Sequence, residues 1–519
     1  IYDLPRVKKF EKKYNQEKID KYIQSIEAEL EELDYNDPKD KRKIVSREQK
    51  ISNIKAGIFT TKKEQELIRP INLGSSVDLP ALMYSEEGFH FEVIKNNESG
   101  KPSTDEETLT NLRLTVKKPD SPKAIFLDRL LELRGLEKMY KTYIEGWNEK
   151  VQDDDRLHGR FLIHGTTSGR LSSAEPNAQQ IPKTSVDPNI KLQLKAPKGT
   201  LYIASDFSQA ELRIMAHLSG DETYLNAFNS GQDPHLAIAA TKYHIPYEEA
   251  LKIYEDENHP EHKIWKVRRK QAKQIAFGLI YGIGAKLLAV KLSDPKSGII
   301  VTPEEAQKEM DIFFGQHPKL KTFLKKQEKF LRKNGYLVSL FGRKRRLPQI
   351  YSSDRGEEAY ALRLALNFPC QSAASDMCLF GSILIYYLMR QGKLPPTKSV
   401  CLVHDANYQI TKPENINTWS IYEMWQIYRN PLTKPYFGFQ IDDVTMAMDF
   451  VIGRSMAEEL PFIPGYDYRK MLEPDFSVEE YMEEHKKYKH IPISEYKKRF
   501  NKQMKQYEKD FERTHGMES

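Results

Sequence analysis

The stretch Leu201-Tyr-Ile-Ala-Ser-Asp206-Phe-Ser-Gln-Ala-Glu211-Leu-Arg-Ile-Met-Ala-His-Leu218 decides how the chain is read. Leu201 to Ala204 is an apolar run of strand length, and Leu212, Met215 and Leu218 then recur at helical spacing. Ser208 and Glu211 have the S-x-x-E spacing of a capping box, in which each side chain satisfies a free backbone N–H at a helix start. The reading is a strand feeding a helix, with Asp206 at the end of a buried strand. A carboxylate there is costly unless something positive, such as a metal ion, holds it. Taken alone, an Asp at such a boundary is better explained as a turn residue.

A second carboxylate changes the balance. Ser399-Val-Cys-Leu-Val-His-Asp405 is an apolar strand ending in His404 and Asp405, and Gly438-Phe-Gln-Ile and Val444-Thr-Met-Ala-Met-Asp449 read as further strands. Two strand-end carboxylates suit two Mg²⁺ ions about 3.5 to 4 Å apart, one activating an attacking hydroxyl and the other stabilising leaving phosphate oxygens. Between them runs Arg268 to Gly284, in which Arg269, Lys273, Phe277 and Tyr281 fall four residues apart. On a helix this is a stripe about 18 Å long with cations at one end and aromatic rings at the other. A nucleoside triphosphate has the same order, since cations hold phosphates and a ring stacks on a base. An amphipathic helix with a basic start is the plainer reading, and Gly282 and Gly284 would end it where close approach is possible.

The 519 residues can bury a large core and suggest roughly three domains. With 39% hydrophobic and 30% charged residues the chain reads as globular, and no apolar run approaches the length of a membrane span, so no membrane partner is expected. The net charge of +6 is small for this size, although Lys266 to Lys273 and Arg343 to Arg346 are basic clusters able to face phosphate. Cys370, Cys378 and Cys401 lack CxxC spacing, which points to a reducing compartment and away from a thiolate zinc site. No secretory signal is visible, and Ile1 in place of Met points to a fragment or a processed product.

Along the chain, Ile19, Tyr22, Ile23, Ile26, Leu30 and Leu33 predict a long amphipathic helix ending at Asp34-Tyr-Asn-Asp-Pro38. A second helical stretch reaches about residue 69, and a further helix runs from Lys123 to Trp147, together a projecting helical subdomain. Asp105 and Glu107 form a D-x-E pattern, read as first-turn acids favoured by the helix dipole. His158 to Pro182 is loop-rich and dense in donors, and Arg170, Asn177, Gln179 and Gln180 suit either a polar polymer or turns that satisfy themselves. Gly335 to Pro348 looks like a hairpin with a basic edge, and Arg363, Asn367 and Gln371 share one side of a helix.

These segments resemble family A DNA polymerases, the DNA polymerase I group. Asp206-Phe-Ser-Gln-Ala-Glu211 is similar to the family's first palm motif, Arg269 to Gly282 to its fingers helix, and Val403-His-Asp405 to its last palm motif, in the family's order. Thr-Ser-Gly-Arg170 to Pro182, Gly335 to Pro348 and Asn367 to Gln371 extend the likeness over roughly residues 70 to 460. The resemblance implies an α+β right-hand fold with an antiparallel palm sheet, helical fingers and a helical thumb. The expected layout is thumb in 1–147, palm in 148–220 and 346–464, fingers in 221–345, and an extra helical tail in 465–519. It implies a nucleotidyltransferase of DNA replication or repair that adds deoxynucleotides to a primer 3' end, with primer–template DNA and dNTPs as partners.

By the same resemblance Asp206 and Asp405 are catalytic and hold two Mg²⁺ ions, for which Mn²⁺ can substitute, with the Phe207 carbonyl as a further ligand. Arg269, Lys273 and His235 hold the triphosphate, Phe277 and Tyr281 shape the base pocket, Gln209 lies at the nucleotide, and Glu211 closes against the sugar. Arg170, Gln371 and His404 read minor-groove acceptors, while Asn177, Gln180, Arg363 and Asn367 contact DNA. A monomer in the cytoplasm of a bacterium or phage-infected cell is expected. Two departures stand out. Ala406 follows Asp405 where the family usually has Glu, and no 3'–5' exonuclease is expected in this chain. In the tail, Ser477 to Glu480 starts one helix and Tyr496, Phe500, Met504, Tyr507 and Phe511 stripe another, suited to a replication partner, to DNA or to the protein's own surface. The rival readings are a phage-type single-subunit RNA polymerase, against which Glu211 and Phe277 speak, and a catalytically silent nucleic-acid-binding protein.

Overall fold

Helix formation in the first part of the chain follows its apolar spacing. The computed structural model describes residues 1–489, except 98, 117, 183–186, 294–299, 404, 418, 419, 422, 423, 425, 426, 429–437, 439, 440 and 445. His404, residues 439 and 440 and the stripe from Tyr496 to Phe511 therefore lie outside the described residues. Backbone proximity divides the chain into two units, 1–142 with 293–301, and 143–292 with 302–519.

The first unit is helical: α1 (Pro5–Glu31), α2 (Pro38–Lys55), α3 (Lys62–Gln65), α4 (Asp78–Tyr84), α5 (Glu106–Thr115) and α6 (Pro122–Met139). Pro5 and Pro38 occupy first-turn positions, where the missing N–H has no partner to lose. Ile23, Ile26 and Leu30 of α1 pack on Ile44, Ile51 and Ile54 of α2. The main core gathers Phe10, Leu79, Leu82, Phe89, Leu109, Phe126 and Leu130, where truncating a ring such as Phe126 would cost about 3–5 kcal/mol. Asp105 is the N-cap of α5 and accepts from Thr108 N at 2.7 Å, while Lys95 pairs with both Asp105 and Glu107 at 2.9 Å. The D-x-E pair is thus built into a helix start. The expected helix to Trp147 ends at Met139 and gives way to a π-helical turn, Tyr140–Glu145, before α7 (Gly146–Asn148).

The second unit is built on an antiparallel sheet. Its strands are β3 (Leu201–Phe207), β6 (Lys398–Val403), β7 (Ala406–Thr411), β8 (Met448–Gly453) and β9 (Leu460–Pro461), in the order β6-β7-β3-β8-β9. Two small hairpins, β1 (Arg160–Leu162) with β2 (Ser172–Ala174) and β4 (Tyr336–Val338) with β5 (Lys344–Arg346), flank the loops named above. The helices are α8 (Pro188–Gln193), α9 (Ala210–Ser219), α10 (Glu222–Asn229), α11 (Pro234–Lys242), α12 (Tyr247–Glu255), α13 (His262–Ile280), α14 (Ala285–Leu292), α15 (Pro303–Gln316), α16 (Pro318–Asn334), α17 (Arg355–Arg390) and α18 (Val478–Lys489). Helices α11, α12, α14 and α15 pack around α13, and α9 and α16 pack on α17.

Three expectations are corrected here. Helix α17 is long and apolar enough by length and composition to cross a bilayer. Ala365, Phe368, Cys370, Ala373, Met377 and Ile385 along it are buried, so its apolarity is that of a core helix. The strand expected over Val444 to Asp449 begins only at Met448 and runs on to Gly453. The capping box at Ser208 does not form: the N-cap of α9 is Gln209, in a left-handed conformation with φ 57°. Ser208 instead donates its N–H to Ala447 O at 3.0 Å, and Glu211 is drawn elsewhere.

Candidate active site

Strand pairing brings the two carboxylates together. In β3, Asp206 is in register with Ala406 of β7 on one side and with Asp449 of β8 on the other. Asp405 lies in the tight turn between β6 and β7, and its carbonyl accepts the Phe207 N–H at 3.5 Å. The alternation of β3 buries every residue from Leu201 to Phe207 except Asp206, which is exposed. The Cys378 thiol of α17 registers both acids. Burial pushes it up to about 12, and the charges of Asp405 and Asp206 push in the same direction. Loss of water also raises the Asp449 carboxyl, and Arg213 partly opposes this. Two carboxylates and backbone oxygen form the hard donor set that Mg²⁺ takes, with water and phosphate completing the shell. Among the described residues no cluster of three or more His, Cys, Asp or Glu is arranged as a metal cage.

A second group of residues lies along α13. Arg269 donates from Nε (3.1 Å) and Nη2 (2.6 Å) to one oxygen of Asp233, the N-cap of α11. Burial works against ionisation of Asp233, yet Arg269 and the Leu236 N–H hold its carboxyl below the usual range. The Lys273 ammonium sits 5.7 Å from the Phe277 ring centre, and Phe277 is tilted against both His235 and Tyr281, at 5.7 and 5.9 Å. His235 is 1% exposed, and neither ring nitrogen has a protein partner. Burial lowers it to about 4, with Arg269 and Lys273 adding to the shift and Asp233 opposing it. Tyr281 caps the helix, and its hydroxyl donates to Glu211, whose other oxygen takes Arg170 Nη2. Burial and the adjoining Glu211 raise the Tyr281 phenol strongly.

Gly282 follows at φ +67°, and a Cβ there would come within 2.9 Å of Leu366 on α17. This close approach brings the end of α13 against the helix that carries Arg363, Asn367 and Gln371. Gly284 has open space around it and needs no such account.

The remaining residues divide. Asn367 Oδ1, Gln209 Oε1 and Arg170 Nε are buried without a protein partner, as His235 is. Such atoms are rare in folded proteins and mark places where a ligand or water completes the bonding. Asn177 caps the short 3₁₀ turn Ala178–Gln180, and the Gln180 carbonyl accepts from the Tyr143 hydroxyl, so these two serve the loop itself. Gln179 reaches across to Leu402 O at 3.0 Å and ties that loop to β6. In the basic hairpin, Arg343 is spent on Asp376 at 2.7 Å and lies over Gly169, where a Cβ would meet its guanidinium at 2.4 Å. It thereby braces the loop that presents Arg170.

The residues not singled out from the sequence are Asp233, Asp449 and Tyr428. Asp233 was legible as an Asp before Pro234 at a helix start. Asp449 was hidden by the early placement of its strand, and Tyr428 by its distance in sequence from everything it touches.

A profile of DNA polymerase family A matches residues 40–420. "DNA polymerase I, thermostable" of Thermus aquaticus is 32% identical over 319 residues, covering 61% of this chain and 35% of that protein. "DNA polymerase I" of Pseudomonas aeruginosa is 32% identical over 336 residues, covering 64% and 33%. The chain thus spans about a third of the length of these curated relatives. Among solved structures, the POL domain of Pol1 from M. smegmatis, in complex with DNA primer-template and dNTP, superimposes with a TM-score of 0.60 at 25% identity, covering 88% of this chain and 67% of that one. The α+β polymerase fold expected from the motifs is the fold observed. With the profile spanning residues 40–420, the chain belongs to DNA polymerase family A.

Proposed function

We propose that this chain is a template-directed DNA polymerase that adds deoxynucleotides to a primer 3' end, with primer–template DNA and dNTPs as its ligands. The observation that carries the reading is the placement of Asp206 on β3 beside Asp405, in the turn that leads into the paired strand β7, with the Phe207 N–H on the Asp405 carbonyl. Fold likeness alone would not carry it, since one fold hosts many activities. The likeness to a POL domain bound to DNA primer-template and dNTP supports the choice of ligands.

In this reading Asp206, Asp405 and the Phe207 carbonyl hold two Mg²⁺ ions. When bound, the ions supply a lowered pKa at the primer hydroxyl and charge stabilisation at the leaving phosphate oxygens. Lys273 and Arg269 neutralise the triphosphate, and buried, neutral His235 contributes one N–H donor. Phe277 and Tyr281 form the surface on which the base lies. Glu211, fixed between Arg170 and Tyr281, presents a wall to the sugar where a ribose hydroxyl would collide. Arg170, Gln371 and Asn367 face the primer terminus and template.

The test is Mg²⁺-dependent extension of a primed template. The wild-type chain is expected to extend with deoxynucleotides in strong preference to ribonucleotides. Asp405→Ala is expected to lose activity by at least about 1,000-fold while binding primer–template within a few-fold of wild type by fluorescence anisotropy. An active Asp405→Ala chain, or a preference for ribonucleotides, would overturn the assignment.

A further inference from the structure

One buried side chain touches both β3, which carries Asp206, and β7, which begins directly after Asp405. Tyr428 is 0% exposed, and its ring meets Phe207, the residue after Asp206, edge to face with centroids 5.7 Å apart. Its hydroxyl lies 3.1 Å from Asn407 Nδ2, on the strand that begins immediately after Asp405, and 3.1 Å from Ser382 Oγ on α17. Asn407 Nδ2 also reaches Ser382 Oγ at 3.1 Å, and Ser382 Oγ donates to the Cys378 carbonyl at 2.8 Å. The Ser205 hydroxyl, on the residue before Asp206, donates to the Asn407 carbonyl at 3.3 Å.

The Ser382 hydroxyl fixes the direction of the Tyr428 bond. Ser382 gives its proton to Cys378 O, so the Tyr428 O–H must be the donor to Ser382 Oγ. One Asn407 amide proton is shared between Ser382 Oγ and Tyr428 Oη, which stand 3.1 Å from Nδ2 and 3.1 Å from each other, and Asn407 Oδ1 has no protein partner. Burial pushes the Tyr428 phenol up to about 12, so the donor persists at working pH. The ring is held as firmly as the hydroxyl, because a Cβ on Gly381 would stand 2.5 Å from it. Only glycine lets α17 approach this closely.

Strand geometry explains why such a cluster has work to do. Side chains alternate between faces, so Ser205 and its register partner Asn407 point away from Asp206 and into the sheet–helix layer. Buried hydrogen bonds in that layer are strong because water does not compete for them, and they tie Tyr428 and α17 to the strand that follows Asp405. Ala406 in register with Asp206 leaves no carboxylate at that point to share the ligand field, so the spacing of the Asp206 and Asp405 carboxylates depends on β3, the β6–β7 turn and what packs beneath them.

We infer that Tyr428, with Asn407 and Ser382, is a positioning device that sets the spacing of Asp206 and Asp405 for divalent metal binding. The inference rests on the polymerase reading only for its activity readout. Tyr428→Phe keeps the ring in its slot under Phe207 and against Gly381, and removes only the hydroxyl. In a Mn²⁺ titration of the chain alone, followed by the loss of free Mn²⁺ signal in electron paramagnetic resonance, the dissociation constant is expected to rise about 5- to 10-fold, the loss of one buried hydrogen bond. The Mg²⁺ concentration for half-maximal extension should rise in parallel, while KM for the nucleotide and affinity for primer–template stay within about 2-fold of wild type.

Ser382→Ala provides the second variant, since it removes the shared acceptor from the helix side, and it should move the metal constants in the same direction. If both variants bind Mn²⁺ like the wild type, or lose activity only in step with lost folded protein, the positioning role is overturned. A wild-type chain that binds Mn²⁺ through Asp206 and Asp405 but extends no primer would overturn the polymerase reading instead. The Tyr428 effect on Mn²⁺ affinity would then still support the positioning role.

Discussion

In the proposed site, the sheet end that carries Asp206 and Asp405 and the helix α13 are held by different forces. The sheet end is fixed by ladder hydrogen bonds and by a buried network beneath it. Its carboxylates stand at the rim while everything around them is tied down. Along α13 the polar groups are tied to one another: Arg269 to Asp233, and Glu211 to Arg170 and Tyr281. Metal ligands need a spacing that does not change. Groups that receive and release a charged nucleotide need partners they can exchange. The difference teaches that the floor of the site is pre-built and its wall is self-satisfied, so substitutions at the two should fail in different ways.

The strongest test of the wall is Glu211→Ala. It empties the space proposed to lie under the sugar and leaves Arg170 and Tyr281 without their shared partner. Discrimination between deoxy- and ribonucleotides, measured as the ratio of kcat/KM values, is expected to fall by about 100-fold. Glu211→Gln keeps the bulk and should keep most of the discrimination. Unchanged selectivity in Glu211→Ala would remove the sugar from this wall and place the selecting contact elsewhere.

A smaller effect is expected from Asp233→Asn. Asn keeps the acceptor that caps α11 but cancels the charge facing Arg269. A triphosphate now meets a cation whose charge is no longer offset, so KM for the nucleotide should drop about 3- to 10-fold at low salt, shrinking as ionic strength rises. A raised KM at every salt concentration would mean that Asp233 aims Arg269 rather than competing for it, and the wall would then be as pre-built as the floor.

How far the sequence reached depended on the kind of interaction. The strand-then-helix pattern at Asp206, the row from Arg269 to Tyr281 and the hairpin before Pro348 are local patterns and were legible. Asp206 and Asp405 could be paired because both end apolar runs. The N-terminus of α9 was misread because the S-x-x-E spacing is present but Gln209 turns left-handed, and nothing in a side chain announces that in advance. Asp449 was reached only through register, since one residue of strand pairing decides which side chains share a face. Arg343 read as a phosphate cation and is instead a brace under Gly169, because a charge run carries no sign of what its neighbours need. Tyr428 lies more than 200 residues from Phe207 in sequence, and contacts of that kind exist only once the sheet and α17 are packed.

The smallest expected effect separates floor from wall by pH. His235 is buried beside Asp233, Arg269 and Lys273, and its folded pKa of about 4 lies below the unfolded value of 6.5. Between these two values the unfolded chain binds a proton that the folded chain refuses. The contribution of neutral His235 to stability is therefore complete above about pH 6.5 and is lost as pH falls toward 4, by at most about 1.4 kcal/mol per pH unit. The Arg269 guanidinium is held above its ordinary range and the Asp233 carboxyl below its own, so the imidazole is the group of this cluster that titrates there. His235→Gln removes the titration and keeps a polar side chain of similar size. On going from pH 7 to pH 5 the wild-type Tm should fall about 1–3 °C further than that of the variant, while Tyr428→Phe, on the floor, should track the wild type. Parallel curves for wild type and His235→Gln would mean that the imidazole is reached by water, and the wall would then be open at its phosphate end.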